Sequence, residues 1–170
     1  MNFAIVQHFE VEPGAVAWAY CRPDLYETFG ELAYIGQPEI LHHEADGDRH
    51  QLEVRYRYVG SLPAGASTFI STDDIAAVEK VSADLSTRTT SFKLHTALGR
   101  QFRGGGTTTV RPGADGHGSI RTTEGDLSIG IPLVGRKVER AIISGLEESL
   151  HAQVPLVTDW LAGQDPHDRT

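Results

Sequence analysis

Ile129-Gly130-Ile131-Pro132-Leu133-Val134-Gly135-Arg136-Lys137-Val138-Glu139-Arg140 opens a stretch that runs on to Trp160-Leu161 and decides the fold. Apolar residues recur at Val134, Val138, Ala141, Ile142, Leu146, Leu150, Val154, Val157 and Leu161, the three-and-four spacing of one helix face. Arg136, Arg140, Ser144, Glu147 and His151 fall on the opposite face. Pro132 suits a first helical position, where its missing N–H would have no partner anyway. Gly145 costs about 1 kcal/mol relative to alanine in mid-helix. Pro155 removes one helical hydrogen bond and crowds the carbonyl of His151, which predicts a kink. No other stretch supports a long helix. The upstream chain mostly alternates as strands do, so this helix is read as the cover for one face of a sheet, with a cavity beneath it.

Working outward, Pro38–Ala45 and Asp48–Val59 read as two strands joined by Asp46-Gly47, a two-residue type I′ hairpin signal. That turn sets His43 opposite His50 and Leu41 opposite Leu52. One face then carries Leu41, His43, His50, Leu52, Val54, Tyr56 and Tyr58; the other carries Ile40, His42, Glu44, Arg49, Gln51, Glu53, Arg55 and Arg57. An apolar face backed by a charged one is the pattern of an antiparallel sheet covered on one side.

The remaining segments follow the same logic. Asn2–Glu10 reads as a first strand, and two short helical runs follow, one carrying Val16, Trp18 and Tyr20 and one starting at Pro23. Strands are expected over Ala77–Leu85, Thr90–Leu98, Thr107–Arg111 and Ser119–Ile129, with Gly104 to Gly106 as an interruption. In the last strand the alternation changes phase near Gly125, which suggests a bulge and turns Thr122 and Glu124 inward with Ile120.

The chain has 170 residues, enough for one domain with a real core. A formal charge of −8 argues against nucleic-acid or anionic-membrane binding, which want a basic patch. One cysteine, Cys21, rules out an internal disulfide and points to a reducing, cytoplasmic setting. The first residues lack the pattern of a signal peptide, and no apolar run approaches the roughly 18 residues of a membrane span. The reading is a single domain over residues 1–162 with a frayed polar tail over 163–170.

The element order, with Phe9-Glu10-Val11-Glu12-Pro13-Gly14-Ala15-Val16-Ala17-Trp18, Pro23-Asp24-Leu25-Tyr26, Leu62-Pro63 and Ile131-Pro132-Leu133-Val134-Gly135-Arg136-Lys137-Val138-Glu139, resembles the START-like, helix-grip superfamily of polyketide cyclases/dehydrases and lipid-transport proteins. Within it, the chain resembles a branch known mainly from actinobacteria and classed as a domain of unknown function. The resemblance implies an α+β fold, a seven-stranded curved antiparallel sheet gripping the long C-terminal helix. It also implies binding of lipids, polyketides or similar apolar molecules, with no cofactor. Activity is left open, because carriers, cyclases and partner-binding domains share the scaffold.

Leu52, Val54, Tyr56, Tyr58, Phe92, Leu94, Thr122, Val138, Ile142, Leu146 and Leu150 are the expected ligand-binding residues. Tyr56 and Tyr58 read either as a cavity wall or as core aromatics. Glu124 is the candidate general base if it faces inward. The alternative sends it to solvent, and the reading favours that alternative. His43 and His50 could reach one metal, but no third ligand stands at a familiar spacing, so no metal site is assigned. The glycine run lacks the lysine and the helix of a P-loop, and Asp126–Gly130 lacks the first glycine of a nucleophile elbow. The leading expectation is a binder or carrier of a hydrophobic small molecule. A cyclase or dehydratase, or a filled-core partner-binding module, is the alternative.

Overall fold

A computed structural model describes residues 1–30, 32 and 34–165. Seven strands form one antiparallel sheet: β1 (Asn2–Phe9), β2 (Glu39–Asp46), β3 (Arg49–Tyr56), β4 (Ala77–Asp84), β5 (Thr89–Thr96), β6 (Phe102–Pro112) and β7 (Ser119–Ile129). Among the described residues three α-helices accompany them, α1 (Pro13–Ala19), α2 (Pro23–Glu27) and α3 (Gly135–Ala162), with three single turns of 3-10 helix between strands. The strand order is β1-β7-β6-β5-β4-β3-β2. Six consecutive strands thus form a meander, and β1 closes on its far edge beside β7. The sheet curves around α3, the helix-grip arrangement.

α3 is 28 residues long, about 42 Å at 1.5 Å per residue. Its apolar stripe faces the sheet, while Arg136, Arg140, Glu147 and His151 are exposed and Ser144 is on the outer side with them. Two hydrophobic clusters grip its two ends. Val157 and Leu161 pack with Phe9, Val16, Trp18, Leu25 and Leu52 at one end. Val134 and Val138 pack with Ile70, Ile75, Phe102, Leu127 and Ile129 at the other. Buried Glu139 fixes the helix start, accepting the Ile129 N–H at 2.8 Å. Between the clusters, the middle of α3 spans a void.

Several boundaries differ from expectation, each for a local reason. The hairpin turns at Gly47-Asp48, with Gly47 at φ 57° and no positive φ at Asp48, which suits a II′ turn rather than I′. Its register therefore shifts: Ala45 pairs with His50 and His43 with Leu52, with an irregularity between Ile40 and His42 that leaves Leu41 exposed. The shift is by two, so His42 to Ala45 keep their faces, but the irregularity turns Ile40, expected on the charged face, to the other side, where it pairs with Val54 and packs against the core. α3 starts at Gly135, not at Pro132, because Leu133 adopts φ 69° and breaks the turn. The helix runs on past Pro155. β6 passes straight through Gly104, Gly105 and Gly106. β7 pairs with both neighbours in unbroken register through Gly125, so no bulge lies there. Of the expected polar tail, Gly163 and Gln164 donate backbone hydrogen bonds to the last turn of α3, and residues 166–170 lie outside the described residues.

Candidate functional site

The void under α3 is a cavity of about 170 Å³. Ile142, Gly145, Leu146, Leu150 and Gln153 of α3 form its roof. Its walls are Tyr56, Val81, Phe92, Leu94, Phe102 and Val110 from the sheet, with Tyr20, Tyr26 and Phe29 from the α1–α2 segment. At one side Tyr34 lies over Gly145 and stacks on Tyr58, their ring centroids 6.3 Å apart. Gly145 is required there, since a Cβ would stand 2.9 Å from Tyr34.

Of the expected ligand-binding residues, Tyr56, Tyr58, Phe92, Leu94, Ile142, Leu146 and Leu150 line this cavity. Leu52, Val54 and Val138 do not; at 1%, 0% and 0% exposure they are core, packed behind the lining. Thr122 and Glu124 point the other way. With no bulge, the inward parity of β7 is odd throughout, giving Ser119, Arg121, Thr123, Leu127 and Ile129. Glu124 is exposed, the alternative that the sequence reading favours, and does not face the cavity as a general base would. Thr123, not Thr122, lines the cavity, and its hydroxyl meets that of Thr108 at 3.1 Å.

Among the described residues five charged ones stand in the lining: Arg57, Asp84 and Arg88, and, from inward strand positions that the sequence reading does not single out as site residues, Glu79 of β4 and Arg121 of β7. Strict alternation in β4 puts Glu79 on the face of Val81 and Ala83, so that signal is present in the sequence. Glu79 and Arg121 both line the cavity and retain some accessible surface. Burial raises the Glu79 carboxyl above the usual carboxylate range; a hydrogen bond with the Tyr56 hydroxyl and the charge of Arg121 oppose this. Burial likewise lifts the hydroxyls of Tyr56 and Tyr26 well above their ordinary value, with the Glu79 charge adding to it.

Arg121 belongs to a polar chain that ties four elements together. Its Nη1 donates to Gln7 Oε1 of β1, and its guanidinium lies 3.8 Å from the centre of the Tyr20 ring. Gln7 Nε2 donates to the Leu150 carbonyl of α3. The Tyr20 hydroxyl donates to Gln153 Oε1 at 3.1 Å. Cys21, behind this chain, is buried, and its thiol is pushed up to about 12, mainly by desolvation, so it is no nucleophile. His43 and His50 do touch, Nε2 to Nδ1 at 3.4 Å, but diagonally at the hairpin rather than directly opposite. Among the described residues no group of three His, Cys, Asp or Glu is placed to hold a metal ion.

A carboxyl raised by burial has a stability signature. Its protonated form is the one the fold favours, so its contribution is intact below the unfolded value of 4.5 and is lost as pH rises through the higher folded value. Glu79→Gln is therefore expected to match the wild type near pH 4 and to melt higher at pH 8, by about 2–4 °C for each kcal/mol relieved. Thermal melts across that range check it; equal melting temperatures at pH 8 would count against a desolvated Glu79.

The family model described as protein of unknown function (DUF2505) matches residues 5–161. The chain belongs to the DUF2505 family. No curated protein matches it. Solved structures match this DUF2505 chain in fold at low identity. The Thermus thermophilus protein TTHA0849 superposes with a TM-score of 0.64 at 13% identity, covering 96% of this chain and 100% of that one. Ara h 8.0201 gives 0.58 at 14% identity, covering 96% and 99%. The Zhui aromatase/cyclase from Streptomyces sp. R1128 gives 0.54 at 11%, covering 95% and 92%. The DUF2505 chain thus has the START-like, helix-grip fold. No helix among its described residues is long and apolar enough to cross a membrane.

Proposed function

We propose that this protein binds an apolar small molecule, of lipid, polyketide or isoprenoid type, in the chamber between the curved sheet and α3, and that it does so in the cytoplasm. The observation that carries this is the cavity itself: aromatic and aliphatic walls with a few convergent polar groups, the usual make-up of a small-molecule site. Its 170 Å³ is close to the roughly 150 Å³ of an apolar cavity that takes up benzene, so one or two rings fit as it stands and a long chain needs it to widen. The chamber counts against a filled-core, partner-binding module. The fold is shared with an aromatase/cyclase, which supports the ligand class. Native mass spectrometry of gently purified protein, with uptake of the neutral dye N-phenyl-1-naphthylamine, tests the reading. A co-purifying apolar species or saturable dye fluorescence is expected, and Leu146→Trp, which fills the chamber, should abolish it. Protein that takes up neither would sink the proposal.

A second reading, catalysis, is favoured by the Glu79–Tyr56 pair. A carboxyl whose pKa burial raises, beside a phenol in an apolar chamber, is equipped to move a proton to or from a carbonyl chain, as aldol-type cyclisation or dehydration requires. Glu79 replaces Glu124 as the residue on which that reading stands.

A further inference from the structure

The guanidinium of Arg121 is paired with less than its chemistry demands. One of its nitrogens donates to Gln7, its face lies on Tyr20, and no other described side chain accepts from it. Among the described residues no carboxylate lies within ion-pair distance of it, although exposed pairs such as Arg55–Glu39 and Lys80–Glu53 form elsewhere. None of its nitrogens is among the fully enclosed polar atoms without a partner, so the spare donors open on the cavity. A cation that lines an apolar chamber without a counter-ion is expensive to keep unless something bound there completes it. Glu79 does not fill that role: it is engaged by Tyr56, and burial favours its neutral form.

We propose that the chamber selects an apolar acid, a molecule of one or two rings whose carboxylate takes the free donors of Arg121 while its body lies against Phe92, Leu94, Ile142 and Leu146. The inference rests on the cavity being a ligand site and adds the charge and place of the polar head. The planar fork of arginine fits a carboxylate with two parallel hydrogen bonds, which lysine cannot reproduce. Gln7 and Tyr20 hold the fork from behind, so it is oriented before the ligand arrives. The net charge of −8 repels anions at long range, so a preference for an acid has to arise inside the chamber, where the Arg121 variants separate this contact from Arg57 and Arg88, the other cations of the lining.

The test compares 2-naphthoate with 2-naphthalenemethanol, equal in ring body and different in charge, by intrinsic probe fluorescence and calorimetry. The wild type is expected to bind the acid about tenfold or more tighter than the alcohol. Arg121→Met should erase that preference while leaving alcohol binding within about threefold, and Arg121→Lys should recover only part of it. Alcohol binding that equals or exceeds acid binding in the wild type overturns the inference and leaves the cavity reading standing. Binding of neither probe overturns both. Acid preference that survives in Arg121→Met also overturns it. Should Arg121→Met fail to fold, the comparison in the wild type and in Arg121→Lys still decides.

Discussion

Gly106→Ala is expected to unfold the protein or to cost about 3 kcal/mol or more, the largest effect of any single methyl group in the sheet. A Cβ at Gly106 would stand 2.0 Å from the Glu124 carbonyl oxygen and 2.7 Å from the Cα of Gly125. These are backbone atoms of the paired strand, so no rotamer change relieves the clash. β6 and β7 would have to part, and the ladder hydrogen bonds around the Gly106–Gly125 pair would be lost. Gly104→Ala, two residues away, is the matched control. Its Cβ would meet the side-chain ends of Phe102, Leu94 and Leu127 at 3.0 to 3.3 Å, atoms that can yield. Solubility and thermal melts of the two variants should separate cleanly, and equal stability would refute the close approach of the two strands at Gly106.

Leu52→Ala should cost about 2–5 kcal/mol, lowering the melting temperature by roughly 5–15 °C. Leu52 is 1% exposed and sits in the cluster that anchors the end of α3, so its removal opens a new void. Leu146→Ala removes the same atoms from a wall that already borders empty space, so fewer contacts are lost and the cost should be well below that of Leu52→Ala. Urea titrations of both variants check the order. Equal losses would mean that the chamber is filled by packing in solution.

How much of this is readable from the chain alone follows from how each residue comes by its place. The covered face of β3 is legible, because Leu52 and Val54 alternate with Glu53 and Arg55 and no shift of two can undo that parity. The helix is legible from its stripe, though Leu133, in a left-handed conformation that leucine seldom adopts, delays its start. β7 misleads. Its inward positions include Ser119, Arg121 and Thr123, while Ile120 lies on the other parity, so hydrophobicity runs against the pleat and suggests a bulge that is absent. That failure falls where the cavity holds its polar groups, the place where a site overrides the pattern that serves the core.

The placing of β1 beside β7 also constrains how the chain assembles. Gln7 and Arg121 stand 114 residues apart in sequence and side by side in the sheet. The opening strand therefore waits, without a partner, until almost every other segment has left the ribosome. Such long-range closure is slow relative to local contacts, and it leaves an unpaired apolar edge open to chaperones or to self-association in the meantime.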